Sequence, residues 1–170
     1  MNRRTTRFTT WGSLMALLIL AADQASKWWV LDVFDLPAKV SVALLPWLNL
    51  TMVWNRGITF GLLSNDSGWG SIALSALALA VVVALVMWLR RAERLGVALA
   101  LGAVAGGAVG NVIDRMRFGA VVDFIHAHAW GWSWYVFNIA DAAIVCGVGV
   151  LLLDSLLAGK RAPPADGAAP

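Results

Sequence analysis

Two aspartates are the residues of this 170-residue chain whose types and placement point most directly to chemistry. Asp123 lies in the segment GAVVDF, and Asp141 lies in FNIADAAI at the start of the last apolar segment. A carboxylate in or beside a membrane span is costly, so its presence there requires a reason. Two carboxylates that share a site cannot both ionise easily, because the first negative charge disfavours the second. The pair therefore indicates acid/base chemistry at a membrane surface.

Asp141 also has a purely structural interpretation. If Asn138 is the N-cap of the last helix, Asp141 occupies its third position, where backbone N–H groups and the helix dipole favour a negative charge. Taken alone, a helix cap is the better explanation of Asp141. Asp123 changes that balance, because two carboxylates then bracket the same helix entrance.

Further polar residues are expected at the same depth in the membrane as the two aspartates. Asn111, Asp114 and Arg115 are spaced i, i+3, i+4 and should share one face of a helix. Asp23 and Lys27 are i, i+4 neighbours and predict an ion pair. A Ser26–Lys27 catalytic dyad is rejected, because adjacent helical side chains do not face each other.

The sequence gives little support for a metal or a thiol. His126 and His128 could join Asp123 as ligands, but two histidines without a third strong ligand make a weak site. We expect no metal and no cofactor. Cys146 is the single cysteine, which excludes a disulfide framework and a cysteine-ligated metal. We expect it to be a small buried packing residue.

The composition identifies the elements that position these groups. Hydrophobic residues make up 60% of the chain, the mean hydropathy is +0.75, and there are ten tryptophans. These values place the chain outside the soluble globular class, and four apolar stretches of membrane-spanning length predict an α-helical membrane protein with four transmembrane helices. The first apolar segment resembles a secretory signal peptide, but the apolar character resumes after residue 27, which favours a retained helix. The predicted spans cover about residues 8–31, 69–89, 95–113 and 138–157.

Basic residues indicate the orientation. They cluster at the N-terminus, between spans two and three, and near the C-terminus, so the positive-inside rule predicts that both termini are cytoplasmic. Most acidic residues, including Asp123 and Asp141, then fall at the outer ends of the spans. The pI of about 9.6 is explained by topology, and we expect no nucleic-acid partner. The basic clusters are Arg3, Arg4 and Arg7; Arg90, Arg91 and Arg94; and Lys160 with Arg161.

The remaining segments complete one domain over residues 1–160. An outer loop at about residues 32–68 contains LPWLNLTMVW followed by NRG, which predicts a small β-structured cap. Gly102, Gly106 and Gly110 have the small-xxx-small spacing that brings helices close together. Residues 161–170 are rich in Pro, Ala and Gly and are expected to be disordered.

Five motifs in register resemble one known family. They are DQASK, NRGITFG, GGAVGNVIDR, GAVVDF and FNIAD, in that order between Asp23 and Asp141. Each motif alone is weak, but together they resemble lipoprotein signal peptidase, or signal peptidase II, of bacterial inner membranes. The chain departs from the family at Ile58-Thr59, where small residues often precede the phenylalanine.

The resemblance implies an intramembrane aspartic endopeptidase of the bacterial inner membrane with its active site at the periplasmic face. Its substrate would be a prolipoprotein whose cysteine carries a diacylglyceryl group, cut on the N-terminal side of that cysteine. The implied partners are this substrate and membrane lipids, and we expect a monomer. The family's catalytic pair corresponds to Asp123 and Asp141. The candidate supporting residues are Asp23, Lys27, Asn55, Gly57, Asn111, Asp114, Arg115 and Asn138.

Two other classes of function remain open from the residues. A proton- or ion-coupled transporter also uses intramembrane carboxylates, but it would need them near the midplane of the bilayer. A non-enzymatic assembly factor would use the polar residues only to hold its helices together. The sequence also leaves open which of the two aspartates is the general base.

Overall fold

The computed structural model describes residues 3–57 and 69–159. It contains four helices that are long and apolar enough to cross a membrane, together with a small antiparallel sheet. The predicted fold class is therefore confirmed. The helices are α1 (Arg3–Trp28), continued by a π-helical turn (Trp29–Val33), the short α2 (Leu36–Lys39), α3 (Trp69–Leu89), α4 (Leu95–Phe118) and α5 (Ile139–Gly159).

Helix α4 lies at the centre of the bundle. Within its most apolar window 67% of the residues are buried by protein, against 6% to 17% in the other three spans. It also extends to Phe118, five residues beyond the predicted end near residue 113, so that Asp114 and Arg115 belong to its last turns. The helix ends at Gly119, whose φ of 71° allows its N–H to bond to the Arg115 carbonyl. The polar groups of α4 thus project from a continuous, well-packed helix.

The glycine spacing in α4 brings it against α1, as the sequence predicts. A Cβ placed on Gly102 would lie 2.0 Å from the Gly12 carbonyl oxygen, and one on Gly106 would lie 2.3 Å from that of Ala16. A Cβ on Gly110 would lie 2.4 Å from Oδ2 of Asp23. The first two glycines let the backbones touch, and the third makes room for a carboxylate.

The cap is a four-stranded antiparallel sheet in the order β1-β2-β3-β4. Only its first two strands come from the region predicted to form it. The other two come from the connection between α4 and α5, because β2 has a second edge whose N–H and C=O groups need partners. The strands are β1 (Ser41–Leu45), β2 (Leu48–Asn55), β3 (Val121–Ala129) and β4 (Trp132–Ser133).

Some sequence predictions fall outside the described residues. These are the last part of the predicted cap, residues 58–68, which includes Ile58-Thr59, and the C-terminal tail at residues 161–170.

A small apolar core attaches the cap to the bundle. It joins Val30 in the π-helical turn after α1 and Leu36 in α2 to Leu50, Val122 and Phe124 of the sheet, all of them buried. Because Asp123 lies between two of these residues in β3, the core fixes the height and direction of its backbone. The packing between the cap and the adjoining helix ends therefore fixes the position of the first aspartate.

The prediction for Cys146 is wrong, because its side chain is exposed on the surface of α5. Helix α5 packs on α4 through Gly147, the residue after Cys146. A Cβ on Gly147 would lie 2.6 Å from Cγ2 of Val104. Adjacent helical residues point in different directions, so Cys146 is turned out of that contact. In a membrane protein this outward face is apolar, and a thiol is compatible with it.

Candidate active site

Asp123 projects from β3 into a set of side-chain amides. Its Oδ2 accepts a hydrogen bond from Nδ2 of Asn55 at 3.0 Å, and its Oδ1 accepts one from Nδ2 of Asn138 at 2.7 Å. Strand β2 supplies Asn55, because its register places Val53 opposite Asp123 and Asn55 two residues further along. The carboxyl group is only 1% exposed. Within residues 3–57 and 69–159, two side-chain amides thus supply its hydrogen bonds.

Asp141 lies in the first turn of α5, as predicted from the cap pattern. Its backbone N–H donates to Oδ1 of Asn138 at 2.8 Å, and its own Oδ2 accepts from the Asn138 N–H at 3.4 Å. This reciprocal pair is a capping box, which satisfies two N–H groups at the helix start. In addition, Oδ1 of Asp141 accepts from Nδ2 of Asn111 at 2.8 Å. The same carboxylate thus caps its helix and lies in the polar cluster.

Asn138 connects the two aspartates. Its Oδ1 bonds to the backbone of Asp141, while its Nδ2 bonds to Asp123 and lies 3.2 Å from Oδ1 of Asn111. The residue is fully buried, so these contacts are shielded from solvent. The sequence predicted Asn138 as a cap and a supporting residue, and the structure adds its direct bond to Asp123.

The free edge of β3 beside Asp123 is closed by side chains. The Val122 N–H donates to Oδ2 of Asp114 at 3.1 Å, and the Val122 carbonyl accepts from Nδ2 of Asn138 at 3.2 Å. A buried backbone N–H or C=O without a partner is costly, so these two bonds replace those of a neighbouring strand. Asp114 thereby ties β3 to the end of α4.

Lys27 is the cation of a buried ionic cluster behind the two aspartates. Its Nζ lies 2.8 Å from Oδ2 of Asp23, which confirms the predicted i, i+4 pair, and 2.6 Å from Oδ2 of Asp114. It also donates to Oδ1 of Asn111 at 3.3 Å. Because that oxygen faces the ammonium group, Nδ2 of Asn111 is left to face Asp141. Lys27 therefore sets the orientation of the amide that contacts Asp141.

Two neighbours complete this cluster. Oδ1 of Asp23 accepts the N–H of Ala140 at 3.0 Å, which joins α1 to the start of α5. Gln24 was not singled out from the sequence, although it stands in the DQASK motif. Its Nε2 lies 3.1 Å from Oδ1 of Asp114 and 3.3 Å from the Gly110 carbonyl. Ser26 instead donates to the Asp23 carbonyl, which agrees with the rejection of a Ser26–Lys27 dyad.

Gly57 lies in the turn after β2, and the guanidinium group of Arg115 lies close to it. Nη1 of Arg115 is 3.5 Å from the Asn111 carbonyl, and its buried Nε has no hydrogen-bond partner among the described residues. Gly57 has a φ of 76° and donates its N–H to Oδ1 of Asn55 at 2.8 Å, which holds that amide towards Asp123. A Cβ on Gly57 would lie 3.7 Å from Nη2 of Arg115. The guanidinium thus retains donor capacity beside the cleft.

The electrostatic surroundings of Asp123 favour a proton. Burial raises the pKa of Asp123 to about 6, and the negative charge of Asp141 adds to the increase. Hydrogen bonds from Asn55 and Asn138 and the charge of Lys27 oppose it. Desolvation is the largest of these effects, because it penalises the charged form of a buried carboxyl group. Asp123 can therefore exchange a proton near the lower end of the physiological pH range.

A cleft of about 650 Å³ opens directly beside Asp123. One wall is the end of β2 and the turn after it, and the other is the chain that enters α5. The side chain of Asp123 is therefore part of the wall of this cleft. The lining residues are Val53, Trp54, Asn55, Arg56, Gly57, Asp123, Tyr135 and Val136.

The histidines of β3 take part in cap packing. Nε2 of His126 lies 2.7 Å from Oγ of Ser133, and its ring centroid is 5.6 Å from that of His128. No group of three or more His, Cys, Asp or Glu side chains is arranged to hold a metal ion within residues 3–57 and 69–159.

Comparison with known proteins agrees with the motif pattern. The family described as Signal peptidase (SPase) II matches residues 15–157. The lipoprotein signal peptidase of Methylorubrum extorquens (strain PA1) is 50% identical over 155 residues, covering 91% of each chain. That of Methylobacterium radiotolerans is 48% identical over 159 residues, covering 92% of this chain and 93% of the relative.

Solved structures show the same architecture. A bacterial membrane enzyme determined by the in meso method at 2.3 Å resolution superposes with a TM-score of 0.77 at 26% identity, over 91% of this chain and 93% of the other. A second, at 1.9 Å resolution, gives a TM-score of 0.74 at 28% identity, over 85% and 92%. From its sequence and its fold, this multi-pass membrane protein belongs to the signal peptidase II family.

Proposed function

We propose that this protein is an aspartic endopeptidase that removes the signal peptide from diacylglyceryl-modified prolipoproteins, cutting on the N-terminal side of the lipid-bearing cysteine. The observation that carries the aspartic mechanism is the bridge formed by Asn138, which bonds to Asp123 through Nδ2 and to the Asp141 N–H through Oδ1. The relatives at about 50% identity are named for the same processing step.

We assign the role of general base to Asp141. Its position in the first turn of α5 and the donor from Asn111 both stabilise a carboxylate. Asp123 has the raised pKa and is assigned as the proton carrier. In the reaction, Asp141 takes a proton from water while the water oxygen bonds to the scissile carbonyl carbon. Asp123 donates its proton to the carbonyl oxygen, and a tetrahedral gem-diol results.

Collapse of this intermediate breaks the C–N bond. The proton held by Asp141 passes to the leaving nitrogen, which becomes the amine of the lipid-bearing cysteine. One hydroxyl of the gem-diol returns its proton to Asp123 as the carboxyl product forms, so both aspartates regain their starting states. Asn55 lines the cleft and Arg115 lies close to Gly57 of its wall, so that N–H donors of both side chains can hold the peptide carbonyls in place.

The location of the site suits a substrate that is half lipid. Asp123 and Asp141 lie where α4 ends and α5 begins, and the basic turn with Arg90, Arg91 and Arg94 lies at the opposite ends of α3 and α4. By the positive-inside rule, that turn and both termini are cytoplasmic and the dyad is periplasmic. The diacylglyceryl chains can then stay in the bilayer while water reaches the peptide, and a single subunit contains the whole constellation.

The same position disfavours a transporter. Coupling to an ion gradient would require carboxylates near the bilayer midplane, reachable from both sides. Here Asp141 lies in the first turn of α5 and Asp123 lies in β3 of the cap, next to a cleft. A pure assembly role would leave the raised pKa of Asp123 and the adjoining cleft without a use.

The test is cleavage of a diacylglyceryl-modified prolipoprotein by the purified protein. Asp123→Asn and Asp141→Asn should each lower the rate at least about 100-fold, because each removes one partner in proton transfer. Asp154→Asn is the matched control, since Asp154 pairs with Arg94 at the other end of the bundle. Wild-type activity in either dyad variant, with the protein folded in detergent, would overturn the aspartic mechanism.

A further inference from the structure

The hairpin formed by β3 and β4 carries an exposed set of aromatic side chains. Trp130 is 99% exposed, Trp132 84%, Trp134 71% and Tyr135 86%. We name residues 127–136 the aromatic hairpin. Four large aromatic rings left uncovered on one short element are unusual for a surface that faces only water, and contiguous patches of this kind mark interaction sites.

The turn at the tip holds one of these rings in a strained conformation. Trp130 has a φ of 48° and Gly131 has a φ of 81°, so both residues of the turn lie in the left-handed region. Glycine or asparagine fits the first position of such a turn with little strain, whereas a bulky residue does so at a cost. Strain of this sort points to a use for the side chain, which here projects straight out from the tip.

The hairpin also lacks formal charge. Between Asp123 and Asp141 the chain contains no Asp, Glu, Lys or Arg, and the only ionisable side chains apart from Tyr135 are the two histidines of β3. Trp and Tyr are the residues enriched where a bilayer meets water, because their rings combine an apolar body with a polar N–H or O–H. An uncharged aromatic tip therefore matches the chemistry of a phospholipid interface and requires no anionic lipid.

The ends of the hairpin place it at the membrane. It follows α4, which ends at Phe118, and leads into α5, which begins at Ile139, and both helices are candidate spans. The nine residues of β3 extend only about 30 Å at the usual rise of a strand. This length limits the tip to within about 30 Å of the bilayer surface from which both of its connections emerge.

A groove beside the tip gives lipid a surface to occupy. It has a volume of about 410 Å³ and lies between the hairpin and Trp47, whose carbonyl accepts the N–H of His128 at 2.9 Å. Its walls are almost wholly apolar, including three of the tryptophans in the hairpin. The groove therefore offers a lipid chain an apolar surface between the hairpin and Trp47.

We propose that the aromatic hairpin is a membrane anchor whose tip, with Trp130 and Trp132, inserts into the outer interface of the phospholipid bilayer and holds the cap against it. This role is separate from peptide cleavage. In this proposal zwitterionic phospholipid covers the exposed aromatic surface. The alternatives are water, a second copy of the chain and another protein.

The test uses tryptophan emission of the protein reconstituted in phosphatidylcholine vesicles. Trp130→Phe and Trp132→Phe each remove one fluorophore but keep an aromatic ring, so the wild-type-minus-variant spectrum reports that single position. Trp88→Phe, at the end of α3, is the matched control for a tryptophan at the opposite end of a span. The quenchers are phosphatidylcholine brominated at positions 6 and 7 of its chains, and aqueous iodide.

We expect the brominated lipid to reduce the wild-type-minus-variant emission of Trp130 and of Trp132 by at least half. Iodide should not quench this emission, and Trp88 should behave in the same way. Quenching by iodide without quenching by bromine would place the tip in water and overturn the proposal. Shielding from both quenchers would place it against protein, in a second copy or within the cap, and would equally overturn it. Neither readout depends on activity, so the result stands apart from that of the cleavage assay.

Discussion

Nδ2 of Asn138 lies 2.7 Å from Oδ1 of Asp123. Through its other amide atom the same side chain accepts the backbone N–H of Asp141. One buried amide therefore sets the position of a carboxyl group on the sheet relative to a carboxyl group on a helix. The proposed mechanism requires both groups at hydrogen-bonding distance from a single water and a single carbonyl, so it assigns Asn138 the control of that geometry.

Replacing this amide should reduce catalysis without removing either carboxylate. Asn138→Ala is expected to lower kcat about 10- to 100-fold, because Asp123 and Asp141 lose their common partner. Stability should also fall, since Asp123, the Val122 carbonyl and Asn111 each lose a buried hydrogen bond. Initial rates on a lipid-modified prolipoprotein, measured beside Asn49→Ala in β2, give the comparison. Equal rates in the two variants would contradict the bridging role.

The rate should depend on pH through the proton of Asp123. If that residue carries the proton, activity requires its protonated form, and kcat/KM should fall above an apparent pKa of about 6 for the dyad. The hydrogen bond from Asn55 favours the charged form of Asp123, so Asn55→Ala should raise this pKa and shift the falling limb to higher pH. Rates measured from pH 4 to 9 test both points. A limb that moves to lower pH in the variant would exclude Asp123 as the proton carrier.

The same group should make the fold less stable as pH rises. Asp123 has a pKa near 3.8 when unfolded and about 6 when folded, so between these values the folded protein binds more protons. The free energy of unfolding therefore decreases as pH rises from about 4 to 6, by on the order of 3 kcal/mol in total. Asp123→Asn cannot titrate, and its melting temperature relative to wild type should increase across this range. A constant difference from pH 4 to 8 would contradict the raised pKa.

Apolar runs of bilayer length fixed the number and approximate position of the helices, because a membrane span requires about 20 apolar residues whatever it packs against. The i, i+4 pair of Asp23 and Lys27 and the cap at Asn138 were also readable, since both depend only on neighbours within one helix. In contrast, β3 was not anticipated as part of the cap, because its partner β2 is about 70 residues earlier in the chain.

The contrast between contacts within one helix and contacts between distant segments also explains which roles could not be predicted from the sequence. Gln24 acquires its role only because Gly110 lets α1 and α4 approach, so that its amide reaches Asp114. The bond from Asn138 to Asp123 joins a helix start to a strand, and neither segment indicates it alone. Contacts across elements depend on packing, which single-sequence patterns do not encode.

Lys27 should be essential to stability. Lys27→Met leaves Asp23 and Asp114 buried without their cation, and breaking a buried pair in this way typically costs about 3–5 kcal/mol. We expect a large fall in melting temperature in detergent. Lys39→Met is the control, because Lys39 lies on the exposed surface over the ring of Phe34 and its loss should have a much smaller effect. Similar losses in both variants would show that the ionic cluster does not stabilise the fold.

The double variant separates charge from packing at this site. Adding Asp114→Asn to Lys27→Met removes one of the two uncompensated carboxylates and should recover part of the lost stability. The recovery follows from the burial of Asp114, which is only 1% exposed and keeps its bond to the Val122 N–H through the Asn oxygen. Thermal unfolding of the two single variants and the double variant gives the coupling free energy between Lys27 and Asp114. A double variant less stable than Lys27→Met would contradict an electrostatic origin.

Gly106 should tolerate no side chain, because α1 and α4 touch there through their backbones. A Cβ at this position would lie 2.3 Å from the Ala16 carbonyl oxygen, which forces the helices apart. The displacement would move Asp23 and Lys27 away from Asn111, so Gly106→Ala should lower both the melting temperature and the cleavage rate. Gly149→Ala in α5 is the matched control, since nothing lies within 4 Å of its added methyl group. There the gain in helix propensity should leave stability equal or slightly higher, by about 1 kcal/mol at most. Alanine favours a helix equally at both sites. A fall in melting temperature and cleavage rate that occurs only with Gly106→Ala would therefore show that the close contact between α1 and α4 positions the ionic cluster behind Asp141.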